Sequence, residues 1–443
     1  MRNGFAGRQS PVPADEPSVT ETNHYSDTVK RALSVLFGGS SPDSLVFSRQ
    51  VPDQSASSGI VLADNSSDIS RSLAAGGYRF FHRFALLPSR ERTRWLVPRN
   101  EDCQIVNGLE MYPSFSIRAA VYKSFASRMA AMGWPGWTGN SLWVASKQRF
   151  PIEKLVEDIT GETHPQFSLS LGTAVSSRKL TVQVMRRNGE ILGYIKLPLT
   201  EKANARIRAE AATLERLNVD SRLRARVPAV LHASKWGAGH LLFQSPIMGD
   251  PGPSRLTVFH QHALNAMHSV HSDVKPGTWL VRETSEKTNG AGKKLGPKWE
   301  VLAQEALRAA AQELSETTVR CGLGHGDFTP WNTRLRDGIL CLVDWEMASW
   351  EVPVLWDTFH FLAQTKSLLQ QGDGPESLAD FNGQKRALYM LYLVSSATHL
   401  AEEAPQAFDI IFREAQLRAQ LRALSGNGAN TASFAARGGS VGA

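Results

Sequence analysis

The chain has 443 residues, 42% of them hydrophobic, and a formal net charge of +7 from 49 basic and 42 acidic residues. This length predicts two or three domains, and the composition is that of a soluble globular protein. No block of basic residues is dense enough to indicate nucleic acid as a partner, and the longest apolar stretch, 388–400, is too short to span a bilayer.

The cysteines and the N-terminal sequence predict an intracellular protein. Cys103, Cys321 and Cys341 are scattered and form neither a disulfide framework nor a CxxC pair, which favours a reducing compartment. The N-terminus has no apolar segment of the kind found in signal peptides, so we expect a cytoplasmic protein. Residues 1–26 are polar and predicted to be disordered, and residues 425–443 are predicted to form a flexible tail.

Residues 27–160 are predicted to form a small N-terminal α/β domain. Strand-like runs occupy 78–87 and 92–98, and a helical run extends from Ser114 to Met132. This segment contains no chemical motif, so its role is unknown and a protein partner could bind there.

Residues 165–250 begin with a predicted hairpin. Leu180, Val182 and Val184 alternate with polar residues, which is the pattern of a half-buried strand. Asn188-Gly189 is a strong signal for a two-residue turn, and a return strand, 191–198, follows it. A helix is predicted from Glu201 to about Leu217.

The predicted helix brings a carboxylate to the end of the return strand. Ile207, Ala211 and Leu214 have the spacing of an inward helical face, and Glu210 borders that face. A buried carboxylate needs a partner, so we predict an ion pair between Glu210 and Lys196. The alternative is that both are solvated surface charges.

The turn before the hairpin contains one glycine, Gly172, followed by Ser176 and Ser177. Its backbone amides could cover phosphate groups. An ordinary turn explains the same residues equally well.

Residues 251–424 are predicted to be mostly helical, with an interruption at HGDFTPWN, 325–332. Asp337-Gly338 predicts a second tight hairpin, which pairs residues 333–336 with 339–342. The same register puts Asn332 opposite Val343 and diagonally next to Asp344, within roughly 5–8 Å.

Asp327 lies just before this hairpin, so two carboxylates and an amide oxygen meet at one end of it. Such oxygen ligands suit Mg²⁺, with Asn332 and Asp344 as the ligands and Asp327 left to act as a base. The alternative is that Asp327 and Asn332 only make turn and capping hydrogen bonds. The histidines at 260–271 could be imagined as a zinc site, but no cysteine or acidic cluster accompanies them.

Together these motifs resemble the aminoglycoside phosphotransferase and choline kinase superfamily, whose fold is like that of protein kinases. HGDFTPWN resembles the catalytic loop of that family, and LVDWE, 342–346, resembles its metal-binding segment. Protein kinases have an arginine where this chain has Gly326, which favours the small-molecule branch. The resemblance covers roughly 165–424.

The resemblance implies an α+β, two-lobed protein-kinase-like fold. It has a small β-rich N-lobe at 165–250 and a mainly helical C-lobe at 251–424, preceded here by the separate α/β domain. It also implies a role for each matching residue. The catalytic base is Asp327, the Mg²⁺ ligands are Asn332 and Asp344, and His325 and Asp357 support the loop. The nucleotide contacts are Lys196, Glu210, Gly172, Ser176, Ser177 and the hinge residues Gln244, Ser245 and Ile247.

The implied activity is transfer of the γ-phosphate of ATP, with Mg²⁺, to a hydroxyl of a small molecule such as a sugar, glycan or amino alcohol. No acidic cluster marks the C-lobe, which argues weakly against a polycationic aminoglycoside. Two alternatives remain. One is a catalytically weak, pseudokinase-like nucleotide-binding module that acts through a partner. The other, a protein kinase, is disfavoured by Gly326 and by Trp345 in place of the usual phenylalanine.

Overall fold

The structure, a computed structural model, describes residues 19–38, 45–47, 60–64, 69–89, 92–99, 141–172, 175–369, 381, 383–403 and 408–437. The predicted helix from Ser114 to Met132 lies outside the described residues. The chain is α+β, with a β-rich N-terminal part and a helical C-terminal part, as predicted.

A ten-stranded sheet forms the β-rich part, in the order β1-β2-β5-β3-β4-β6-β7-β8-β10-β9. Neighbouring strands are antiparallel except for the parallel pair β1 and β2. Its strands are β1 (Leu45–Phe47), β2 (Ile60–Asp64), β3 (Phe80–Leu87), β4 (Trp95–Pro98), β5 (Ser141–Ser146), β6 (Gln166–Ser170), β7 (Lys179–Met185), β8 (Ile191–Pro198), β9 (Val230–Trp236) and β10 (Gly239–Gln244).

Ten helices occur among the described residues. They are α1 (Val19–Phe37), α2 (Ile69–Ala75), α3 (Pro151–Thr160), α4 (Glu201–Val219), α5 (Val258–Val270), α6 (Gly277–Leu295), α7 (Pro297–Leu314), α8 (Trp356–Leu369), α9 (Gly383–Glu403) and α10 (Phe408–Arg437). In that part of the chain, none of the helices is both long and apolar enough to cross a membrane.

Two small sheets lie within the helical part. One contains β11 (Asp250–Pro251), β14 (Thr333–Arg336) and β15 (Ile339–Leu342), and the other contains β12 (Ser272–Pro276), β13 (Thr318–Gly324) and β16 (Ser349–Pro353). These short strands hold the segment HGDFTPWN between them, because β13 ends and β14 begins on either side of it.

The strands of the first segment continue the sheet of the N-lobe. In β4, Trp95 and Leu96 pair with Ser170 and Leu169 of β6. Leu33, Phe84, Phe167 and Ile195 belong to one buried cluster, so α1, β3, β6 and β8 share a core. The predicted boundary near residue 160 therefore does not separate two sheets. A pattern of alternating hydrophobicity identifies a strand with one buried face, but it does not identify the strands that pair with it.

Helices extend into both of the segments that were predicted to be tails. Helix α1 begins at Val19, inside the predicted disordered segment 1–26, and it continues into the buried residues Leu33 and Phe37. Helix α10 runs to Arg437, inside the predicted tail 425–443.

Both predicted hairpins form, but the first has a longer turn than the predicted two residues, because the backbone amide of Arg186 donates to the carbonyl oxygen of Glu190 and three residues lie between them. In the second one, β14 and β15 pair Arg336 with Ile339 and Thr333 with Leu342, which is the predicted register. Asp337 and Gly338 have φ values of 51° and 75°, the left-handed conformations that this tight turn requires. The register fixes which residues reach the end of the hairpin that faces the rest of the site.

Candidate active site

The first two residues of HGDFTPWN are held by one carboxylate of helix α8. The backbone amides of His325 and Gly326 donate to Asp357 Oδ2 at 2.8 Å and Oδ1 at 2.9 Å. Gly326 has a φ of 81°, and a Cβ atom there would lie 2.2 Å from the carbonyl oxygen of Met347. A side chain such as the arginine of protein kinases does not fit at this position.

His325 is fully buried and connects the loop to the hairpin. Its Nε2 lies 3.0 Å from the carbonyl oxygen of Val343, and its Nδ1 accepts from the backbone amide of Asp327 at 3.3 Å. His325 and Asp357 are therefore both in position to support the loop, which is the role that the sequence resemblance implies for them.

The carboxylate of Asp327 is fixed by two side chains. Asn332 Nδ2 donates to Asp327 Oδ2 at 2.7 Å, and His360 Nε2 lies 3.0 Å from Oδ1. The hydroxyl of Tyr392 lies 3.2 Å from His360 Nδ1. Because an ionised carboxylate only accepts, His360 carries its proton on Nε2, and its Nδ1 can accept from the tyrosine. Burial would raise the pKa of the Asp327 carboxyl, but the hydrogen bond from His360 and the electrostatic interactions with His360 and His325 together lower that pKa.

Asn332 and Asp344 come together at the end of the second hairpin. The backbone amide of Val343 donates to the Asn332 carbonyl oxygen at 2.9 Å, which continues the predicted register. Since Nδ2 of Asn332 donates to Asp327, its side-chain oxygen is the atom left for a metal ion. Asp344 has a φ of 69°, a conformation uncommon outside glycine, and it lines the same cleft as Asn332.

Lys196 and Glu210 form the predicted buried ion pair. Lys196 Nζ lies 2.6 and 2.7 Å from the two carboxylate oxygens, and the side chains are 5% and 0% exposed. Lys196 Nζ also lies 2.7 Å from Asp344 Oδ1. The backbone amide of Trp345 donates to Glu210 Oε1 at 3.1 Å, so helix α4, strand β8 and the segment 342–346 meet here.

Lys179 and Glu346 complete a cluster that sequence reasoning missed. Lys179 Nζ lies 2.7 Å from Asp344 Oδ1 and 2.5 Å from Glu346 Oε2. Burial would lower the pKa of Lys179, but the carboxylates of Asp344 and Glu346 raise it. Burial and the charge of Asp344 raise the pKa of Glu346. The hint in the sequence was that Lys179 begins the strand that pairs with the strand of Lys196.

The donor set at this cluster suits a hard divalent cation. One carboxylate oxygen from each of Glu210, Asp344 and Glu346 lies within 4.8 Å of the others. Among the described residues this is the only such group, and the histidines of α5 do not form one. Instead, His260 is buried, and its Nδ1 contacts the backbone amide and hydroxyl of Thr257.

The predicted phosphate loop is held by the C-lobe. Gly172 has a φ of 65°, and a Cβ atom there would lie 2.8 Å from the carbonyl oxygen of Lys179. The hydroxyls of Ser176 and Ser177 both donate to Glu403 Oε2 of helix α9 at 2.9 Å. Their side chains therefore bind a carboxylate, an arrangement the sequence gave no reason to expect.

Glu403 also contacts two cationic side chains of helix α4. Lys202 Nζ lies 2.5 Å and Arg206 Nη2 2.7 Å from its Oε1. Burial would raise the pKa of Glu403, but the hydrogen bonds from Lys202, Ser177 and Ser176 outweigh it and lower the pKa to about 2. This carboxylate therefore ties the loop and helix α4 to the C-lobe at neutral pH.

The predicted hinge residues Gln244, Ser245 and Ile247 line the same cleft as Lys196 and Asp344. Ser245 is anchored to the neighbouring segment, since its amide donates to the carbonyl oxygen of Ala229 at 2.8 Å. The cleft thus runs from the hinge to the cluster of charges, and Asp327 adjoins it through Asn332.

A known protein family matches the part of the chain that contains this site. Residues 194–362 match the model of a family described as the phosphotransferase enzyme family. The matched stretch contains Lys196, Glu210, HGDFTPWN and Asp344, so the resemblance predicted from the sequence is confirmed there. No curated protein matches the chain.

Several solved structures are similar to about three fifths of this chain. A thermostable mutant of aminoglycoside phosphotransferase APH(4)-Ia in its apo form is 14% identical, covers 62% of this chain and 99% of its own, and gives a TM-score of 0.45. A candidate fructosamine-3-kinase from Thermobifida fusca is 16% identical, with coverages of 61% and 99% and a TM-score of 0.42. The GDP complex of wild-type aminoglycoside 2'-phosphotransferase-IIIa is 15% identical, with coverages of 61% and 97% and a TM-score of 0.40.

Proposed function

We propose that this chain transfers the γ-phosphate of ATP, in a Mg²⁺-dependent reaction, to a hydroxyl group of a small molecule such as a sugar, glycan or amino alcohol. One observation carries the proposal. Lys196, Asn332 and Asp344, from separate segments, line one cleft, and Asp327 is hydrogen-bonded to Asn332 at its side.

Asp327 has the environment expected of the residue that accepts or orients the proton of the acceptor hydroxyl. Its lowered pKa keeps it ionised at neutral pH, and Asn332 and His360 fix the direction of its two oxygens. As the hydroxyl oxygen bonds to the γ-phosphorus, the bond to the oxygen bridging the β- and γ-phosphorus atoms breaks. The hydroxyl proton goes to Asp327, and ADP leaves.

Asn332 and Asp344 are the residues that would hold Mg²⁺, with Glu346 close enough to take part. The ion would supply positive charge against the phosphate oxygens, which is most of what phosphoryl transfer requires from a protein site. Carboxylate and amide oxygens are the donors that Mg²⁺ prefers, so the residues present fit the ion.

Lys196 would bind phosphate oxygens of the nucleotide while Glu210 orients its ammonium group. The hinge segment 241–250 would bind the adenine ring through backbone groups. The buried ion pair supports this role, because a lysine held on two carboxylate oxygens has little rotational freedom left to lose on binding phosphate.

The second candidate is a nucleotide-binding module without efficient turnover, which would act through a protein partner bound at residues 27–160. The contacts of Ser176 and Ser177 with Glu403 favour it, because those hydroxyls are occupied by a carboxylate that would repel phosphate. The first function predicts phosphate transfer to an acceptor alcohol, and the second predicts ATP binding without efficient transfer.

Thermal unfolding with ATP tests the nucleotide site that both candidates need. Wild-type protein should be stabilised by ATP with Mg²⁺, by roughly 2.7 kcal/mol when the ligand is at 100 times its dissociation constant. Asp344→Ala should lose the Mg²⁺-dependent part of the shift. Asp337→Asn, at the exposed turn of the same hairpin, also removes a carboxylate but tolerates the left-handed φ of 51°, so it is the control and should keep the shift. The absence of any shift in wild-type protein would contradict both candidates.

A further inference from the structure

Lys179 lies at the meeting point of the phosphate loop and the carboxylate cluster. It is the first residue of β7, directly after residues 175–178, and its side chain is 17% exposed. It lines the same cleft as Lys196 and Asp344. Asp344 Oδ1 lies 2.7 Å from the ammonium groups of both lysines, so two cations share one carboxylate oxygen.

Neutralising the charge of Asp344 would need only one lysine, and each of the two lysines has another carboxylate partner. Lys196 already lies against both oxygens of Glu210, and Lys179 bridges Asp344 to Glu346. A third cation also borders the cluster, since Arg206 Nη1 lies 3.9 Å from Glu346 Oε1 while its Nη2 contacts Glu403. A metal ion can therefore bind Asp344 Oδ1 only if an ammonium group gives up that oxygen.

A metal ion on Asp344 and the ammonium of Lys179 compete for the same oxygen. If the metal ion takes that oxygen, Lys179 keeps only Glu346 Oε2, at 2.5 Å, and its ammonium group is left with room for a second anionic partner. The phosphate groups of a nucleotide in this cleft supply that partner within reach of the side chain, because Lys179 and the proposed phosphate-binding Lys196 line the same cleft.

We infer that Lys179 is a second phosphate-binding lysine, which exchanges Asp344 for phosphate oxygens of the nucleotide when the metal–nucleotide complex binds. This inference rests on the proposed function, since it assumes a nucleotide in the cleft. It adds a binding residue on β7, one strand away from Lys196. A purely structural Lys179 would instead remain on its carboxylates and contribute equally to every ligand of the cleft.

Ligands with different numbers of phosphate groups distinguish a phosphate-binding Lys179 from a purely structural one. Dissociation constants for Mg·ATP, Mg·ADP and adenosine are measured on wild type, Lys179→Met and Lys179→Arg. Loss of a charge-assisted contact predicts Mg·ATP binding about tenfold to a hundredfold weaker in Lys179→Met, with adenosine unchanged within about twofold. Lys179→Arg should recover most of the loss, because it keeps the charge. Equal losses for all three ligands, or no loss for Mg·ATP, would overturn the inference.

The matched control is Lys275→Met. Lys275 is a paired lysine outside the cleft, with its Nζ 2.9 Å from Asp273. This variant removes the same charge from the chain and should leave all three affinities unchanged. A loss of Mg·ATP affinity in the control equal to that in Lys179→Met would mean that net charge, and not Lys179, binds the phosphates.

The competition for Asp344 gives a second readout that uses no nucleotide. Mn²⁺, used as a paramagnetic probe for the divalent ion, should bind several-fold more tightly to Lys179→Met than to wild type, because its competitor is gone. Unchanged or weaker Mn²⁺ binding would overturn the proposed exchange.

A third measurement uses wild-type protein and so does not depend on any variant folding. An acyl phosphate of ATP reacts with a nearby amine. The nitrogen bonds to the acyl carbon, the anhydride C–O bond breaks, a proton leaves the nitrogen, and ATP departs. Mass spectrometry should find the acyl group on Lys179 as well as Lys196, with both blocked by excess ATP. Labelling of Lys196 alone would contradict the inference, and wild-type protein that binds no Mg·ATP would overturn the proposed function together with it.

Discussion

The buried ion pair of Lys196 and Glu210 gives the sharpest prediction about stability and binding together. Replacing Glu210 with Gln keeps the size of the side chain but removes its charge. Breaking a buried pair from one side costs about 3–5 kcal/mol, because the remaining charge is left without compensation. Lys196 keeps its contact with Asp344 at 2.7 Å, so we expect the lower end, about 3 kcal/mol.

The assay is urea unfolding followed by tryptophan fluorescence, together with ATP affinity. Glu215→Gln is the matched control, since it makes the same change at an exposed position of the same helix and should cost less than about 0.5 kcal/mol. Glu210→Gln should also weaken ATP binding, because Lys196 loses the partner that orients it. A stability loss below about 1 kcal/mol with unchanged ATP affinity would refute the role given to this pair.

Three further predictions concern the supports of the site. His360→Leu removes the hydrogen bond that lowers the pKa of Asp327, so the acidic limb of kcat/KM against pH should move to higher pH, and an unmoved limb would exclude this role for His360. Glu403→Gln should destabilise the fold at neutral pH by about 1 kcal/mol. Because the pKa of Glu403 is lowered to about 2, that difference should be full above about pH 4.5 and shrink as the pH falls toward 2. This is measurable by urea unfolding at several pH values, and a difference independent of pH would contradict it. Gly326→Ala should cost at least about 1 kcal/mol, because its φ is 81° and its Cβ would lie 2.2 Å from the Met347 oxygen. Unchanged urea unfolding would show that the loop can shift.

Short-range patterns in the sequence predicted the parts of the site that are close along the chain. Asp337-Gly338 fixed the register of β14 and β15, and this brought Asn332 to the same end of the hairpin as Asp344. The helical spacing around Ile207 was enough to predict that Glu210 is buried and that it pairs with Lys196, only 14 positions away.

The contacts that the sequence did not predict join residues far apart along the chain. Lys179 and Asp344 are 165 positions apart, and Ser176 and Glu403 are 227 apart. His360 contacts Asp327 from a helix that no turn or strand register connects to the catalytic loop. Periodicity reports which face of an element is buried, whereas these contacts depend on how whole elements pack. The pairing of β4 with β6 was missed for the same reason.

The most direct test of the proposed phosphotransfer is turnover with ATP, Mg²⁺ and a panel of sugars, glycans and amino alcohols, followed by mass spectrometry. The wild-type protein should add one phosphate to at least one acceptor. Asp327→Asn should bind ATP normally but transfer phosphate about 10²- to 10⁴-fold more slowly, which is the usual contribution of a general base. ATP binding without transfer to any acceptor, or equal transfer by wild type and Asp327→Asn, would contradict the assignment of Asp327 as the catalytic base.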